Sequence, residues 1–121
     1  MSRKMDAVRI PAVATVPSAT TGVIDTPAVK PGVTMVCQSI AFRNRTGARG
    51  TVTIQLRSGG AVFPISDQAS PSANQFYSYP YPIDVHEGEQ IEASQLSCSQ
   101  SDILDLVVIG YLLDDDEEEV A

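Results

Sequence analysis

The stretch Leu104-Asp105-Leu106-Val107-Val108-Ile109-Gly110-Tyr111-Leu112-Leu113 constrains this chain more than any other. It is the most apolar run, and its β-branched and aromatic residues favour extended backbone. A membrane-spanning helix needs roughly 20 apolar residues, so this run is too short, and Asp105 interrupts its start. It reads as a central strand. Leu104, Leu106, Val108, Gly110 and Leu112 face one way, and Asp105, Val107, Ile109, Tyr111 and Leu113 the other. Gly110 leaves a gap in the first face, where an opposing side chain could enter. A strand apolar on both faces needs cover on both. The second face either belongs to a single-copy core or meets a neighbouring subunit.

The rest of the chain punctuates itself as short strands. Residues 1–18 hold Pro11 and Pro17 around Ala12-Val13-Ala14-Thr15-Val16, which reads as an extended N-terminal arm or edge segment, since proline cannot donate to a ladder. Residues 20–24 form a short strand. Residues 33–46 carry a long strand signal whose apolar parity changes midway, and a bulge near residues 37–39 reconciles the halves. In residues 51–57, Val52, Ile54 and Leu56 alternate with polar neighbours, and Ser58-Gly59-Gly60 turns the chain back. A return strand at 61–65 leads into a polar loop at 66–74. Gly88 suits a positive φ in the turn His86-Glu87-Gly88-Glu89. Residues 90–94 put Ile91 and Ala93 inward, and residues 95–102 read as a polar loop.

Seven or eight short strands with regular turns, and no amphipathic helix, predict an all-β chain. The expected architecture is a single antiparallel β-sandwich, jelly-roll-like, over residues 19–113. Val52, Ile54, Leu56, Ile91 and Val108 are its expected core. At 121 residues the chain supports one modest core.

The net charge of −7 is unevenly spread. Residues 114–121 form an acidic tail that supplies six acids over 114–119. Without them the body carries nine acidic and eight basic residues, which argues against nucleic-acid binding by the whole surface. The loop at 43–50 concentrates Arg43, Arg45 and Arg49. It reads as a solvated turn or as a salt-bridging patch toward an acidic neighbour, including the acidic tail of another copy. Cys37 and Cys98 do not make a disulfide framework; they either pair across facing strands or stay buried as thiols. No secretory leader is apparent.

Catalytic chemistry has little to work with. His86 is the only histidine. There is no GxSxG, phosphate loop or HExxH, and no ligand set for zinc. Asp84, Glu87 and Glu89 lack EF-hand spacing. Neither enzymatic activity, a cofactor nor a metal is expected. The aromatic stretch Phe76, Tyr77, Tyr79 and Tyr81 with its interleaved prolines reads either as a contact surface or as core residues on an irregular strand. As a sugar-binding platform it would stack Tyr77, Tyr79 or Tyr81 on rings, with Asn74 or Asp84 taking hydroxyls. That makes a carbohydrate-binding β-sandwich module the alternative function.

Three stretches together resemble small tailed-bacteriophage virion proteins: capsid decoration, neck or head-completion, and tail accessory proteins with jelly-roll-like sandwiches. The stretches are Val23-Ile24-Asp25-Thr26 with residues 36–46, Thr51 to Leu56 with Gly59-Gly60, and residues 81–91 with 107–113. The acidic tail is not part of that pattern. The resemblance implies a homo-oligomer on a virion, contacting capsid, portal or tail components, with no membrane partner. The contact candidates read from the residues themselves are Phe76, Tyr77, Tyr79, Tyr81, Val107, Ile109, Tyr111, Leu113, Arg43, Arg45 and Arg49.

Overall fold

A computed structural model describes residues 5–69, 71–80 and 82–114. Among them are nine strands: β1 (Met5–Thr15), β2 (Thr20–Asp25), β3 (Val33–Asn44), β4 (Val52–Ser58), β5 (Ala61–Gln68), β6 (Tyr77–Tyr79), β7 (Ile83–Val85), β8 (Gln90–Cys98) and β9 (Ile103–Asp114). The larger sheet runs β1-β9-β3-β6, with β7 also paired to β3. The smaller runs β2-β8-β4-β5, and every pairing is antiparallel. This is the expected jelly-roll-like sandwich.

The core is what the alternation predicts. Val52, Ile54, Ile91 and Val108 are fully buried, together with Met35, Ile40, Phe42, Leu104 and Leu106, and Leu56 packs against them. Strand β9 is central, held between β1 and β3 along its whole length.

The parity change in β3 is a bulge at Gln38. Cys37 pairs with Gly110, and Ser39 with the adjacent Ile109. Met35 and Cys37 therefore point inward before the bulge, and Ile40, Phe42 and Asn44 after it. The space at Gly110 receives backbone rather than an opposing side chain. A Cβ there would collide with the Val36 carbonyl oxygen. In the turn before β8, Gly88 adopts φ 79°.

One expectation is decided between its two alternatives and one is corrected. Over their described part residues 1–18 form the edge segment and not an arm leaving the body. Met5–Thr15 is laid against β9 as an edge strand, with Ile10, Ala12 and Ala14 packing on the core. Pro11 fits there because an edge strand need not use every donor. Residues 95–102 are not all loop, since β8 continues to Cys98. Ser97, Ser99, Gln100 and Ser101 are exposed, while Gln95 and Asp102 are buried and belong to a polar network. The Asn44 Nδ2 donates to Gln95 Oε1 at 2.9 Å and to Asp102 Oδ2 at 3.2 Å, and Gln95 Nε2 donates to the Gly50 carbonyl.

Candidate functional site

The two sandwich faces that look outward differ. On the smaller sheet a closed polar ladder lies among scattered exposed apolar residues, Val23 on β2, Val62 and Phe63 on β5 and Leu96 on β8. Glu92 accepts from Gln55 Nε2 at 2.6 Å and Arg57 Nε at 2.9 Å. Asp25 is its cross-strand neighbour. Partial burial, then the charge and hydrogen bond of Glu92, raise the Asp25 carboxyl above its ordinary value.

On the larger sheet the outer face is apolar at its centre. Val107, Ile109, Tyr111 and Leu113 form a column along β9, opposite in parity to the buried Leu104, Leu106 and Val108. Register places Pro11 and Ala41 on either side of Val107, Arg9 and Ser39 beside Ile109, and Ala7 and Val36 beside Tyr111. Beyond Val36 lies Asp84 of β7. Ile109 is 45% exposed, and Val13, further along β1, 62%. Polar groups therefore border an apolar field, the anatomy of a protein interface.

One end of this field is tied by charge. Asp105, next to Val13 and Arg43 in register, is 5% exposed despite facing outward. Arg45 grips both its oxygens, Nε to Oδ2 and Nη2 to Oδ1, each at 2.7 Å. Arg43 Nε reaches Oδ2 at 3.0 Å, and the Phe76 ring lies 4.5 Å from its guanidinium. The Arg45 hydrogen bonds, followed by those of Arg43, hold the Asp105 carboxyl below its usual value. Arg49 makes the equivalent fork on fully buried Asp102, at 2.8 and 3.0 Å, and depresses that carboxyl strongly. The acids met by Arg43, Arg45 and Arg49 thus belong to their own chain, rather than to an acidic neighbour.

The aromatic stretch divides. Phe76 is 46% exposed. Tyr77 and Tyr79 pair with Phe42 and Ile40, share their inward parity and pack against the core. The Tyr77 hydroxyl hydrogen-bonds Ser66 Oγ of β5, joining the two sheets at that side. Tyr81 and residues 115–121, with most of the acidic tail, lie outside the described residues. Cys37 and Cys98 are buried free thiols. Cys98 lies near Asn44, at the opposite end of β3 from Cys37. Burial, with some contribution from Asp84, pushes the Cys37 thiol up to about 12.

Among the described residues no group of three His, Cys, Asp or Glu side chains is placed to hold a metal ion. Also among them, no helix is long and apolar enough to cross a membrane. The β9 column is legible in the sequence, whereas Arg9, Pro11, Val13, Val36, Ala41 and Asp84 complete its surface only through the register of β1, β3 and β7. The odd-numbered alternation from Ala7 to Thr15 was the available signal for the β1 part.

No family model matches this chain, nor does any curated protein. Among solved structures, it is similar to a protein of the disulfide-linked pili that form Bacillus endospore appendages, with 15% identity and a TM-score of 0.55 over 94% of this chain and 91% of that one. A mutant of CBM29-2, a family 29 carbohydrate-binding module, is 11% identical over 98% of this chain and 89% of its own, with a TM-score of 0.43. Dimeric latent PorU from Porphyromonas gingivalis is 12% identical, with a TM-score of 0.46 over 94% of this chain and 13% of that one. At 15% identity the likeness to the pilus protein is one of fold.

Proposed function

We propose that this chain is a non-enzymatic structural subunit that assembles through the outer face of its larger sheet, in the virion of a tailed bacteriophage. The observation that carries the reading is the apolar field centred on Ile109, bordered by polar groups and left uncovered by the chain's own described residues. Surface of this kind marks a protein contact. The jelly-roll-like sandwich, a fold shared with the Bacillus pilus protein, is consistent with assembly work. The virion is carried by the resemblance in residues 20–113, and capsid surface, neck and tail would each use the face in the same way.

A carbohydrate-binding module is the second reading. It needs an exposed aromatic platform, and Tyr77 and Tyr79 turn inward, leaving Phe76 as the exposed aromatic of the described stretch. Mass spectrometry of purified virions tests the first reading directly. Stoichiometric presence supports it. Absence from particles, together with specific binding on a glycan array, sinks it in favour of the second.

A further inference from the structure

We infer that the outer face of the larger sheet packs against the same face of a second copy of this chain, about a twofold axis parallel to the strands. The inference rests on the structural-subunit reading and names the partner of that surface.

Size is the first argument. Strands β1, β9 and β3 have 11, 12 and 12 residues, and β6 and β7 extend the sheet beyond β3. At about 3.3 Å per residue and 4.8 Å between strands, the face covers on the order of 700 Å². A standard stable interface takes about 800 Å² from each partner. The face is therefore matched to a protein surface of its own dimensions.

Charge selects the partner. The charges at one end of the face, Arg43, Arg45 and Asp105, satisfy one another within the chain and offer little net charge to a strongly charged partner. Two further charges stand on opposite borders. Arg9 is exposed on β1, beside Ile109, and Asp84 is exposed on β7, beside Val36. Their signs are opposite and the apolar field lies between them. A surface with this distribution is complementary to itself.

The same two residues fix the orientation. A twofold axis parallel to the strands exchanges the borders, so Arg9 of each copy lies over Asp84 of the other. An axis across the strands would instead stack β1 on β1 and set Arg9 near Arg9. Along the strand direction, Arg9 and Asp84 differ by two residues, about 7 Å, which an arginine side chain can span. The arrangement closes at two copies, buries Val107, Ile109 and Tyr111 at its centre, and repeats the Arg9–Asp84 contact twice.

Sedimentation velocity on the full chain across a concentration series is the test. The expected species is a dimer. Arg9→Glu and Asp84→Arg should each weaken it roughly tenfold or more, and the double exchange should recover most of the loss. Ile109→Asp should give a monomer that keeps the β-rich circular dichroism spectrum and cooperative melting of the parent. A parent that stays monomeric at high micromolar concentration overturns the inference. So does a double exchange as weak as the single variants, or a folded Ile109→Asp protein that still dimerises. Virion mass spectrometry separates the two readings. A monomer that is nonetheless found in particles ends this inference and leaves the structural role standing. A dimer with the predicted exchange behaviour but absent from particles upholds the pairing and removes the virion role.

Discussion

Gly110 and Cys37 face each other across β9 and β3, and the Val36 carbonyl beside them occupies the place where a side chain on Gly110 would begin. The contact is with backbone, so no rotamer change can relieve it. Gly110→Ala should cost at or above the upper end of the about 1–3 kcal/mol typical of overpacking. Gln38→Ala, on the exposed bulge residue, should stay within about 0.5 kcal/mol of the parent. Urea denaturation of both variants checks the contrast, and equal midpoints would refute it.

Asp102 should be the least replaceable acid in the fold. Its carboxylate accepts from the Arg49 fork, from Asn44 Nδ2 and from the Ser99 amide. In Asp102→Ala, buried Asn44 and the Ser99 amide each lose an acceptor, at about 1–3 kcal/mol for each donor left unpaired. Asp67→Ala removes an exposed acid bonded to Thr53, and should change stability by no more than about 0.5 kcal/mol. Paired thermal melts measure the difference.

Stability should respond to acid in two opposed ways. Asp102 and Asp105 have folded values below the ordinary 3.8. Their contribution is complete above that value and is lost as pH falls through the lowered folded values. Asp25 has the opposite sign. Its folded value is raised, so proton uptake adds stability as pH falls from neutral through that value, a gain complete below 3.8. The midpoint of melting should hold level or rise slightly on mild acidification, then drop steeply below about pH 4. Asp25→Asn should raise the midpoint at neutral pH and remove the rise, while leaving the acid drop. A steep loss between pH 7 and 5 would contradict this account.

The Tyr77–Ser66 hydrogen bond is the side-chain link between β6 of the larger sheet and β5 of the smaller. Tyr77→Phe and Ser66→Ala should each cost about 1 kcal/mol. Because they remove one shared interaction, the double variant should cost little more than either single one. Strict additivity in chemical denaturation would show that the hydroxyls are not coupled.

Much of the fold could be read from local pattern because burial follows alternation. The β9 parity, the β4 alternation and the bulge in β3 are all properties of residues near one another in sequence. What could not be read depends on distant partners. Pro11 marks its segment as an edge or an arm, and only the pairing with distant β9 decides between the two. Gln95 looks like loop composition, and becomes strand because Asn44 and Gly50 satisfy its amide inside the protein. The candidate surface was half legible for the same reason. Its Val107, Ile109, Tyr111 and Leu113 column is local, whereas Arg9 and Asp84 join it only through the register of β1 and β7. The arginine loop was visible at once, but its partners Asp102 and Asp105 lie more than fifty residues away.

The bulge at Gln38 makes β3 a strand counted from two origins. Odd residues face the core on one side of it and even residues on the other. Losing that one residue would merge the two counts into one unbroken alternation, with Met35, Cys37, Ile40 and Phe42 all still on the core face and Cys37 and Ser39 still opposite Gly110 and Ile109. What the extra residue contributes is therefore a local bend and added twist in the strand, while the inward placement of its apolar side chains would survive without it.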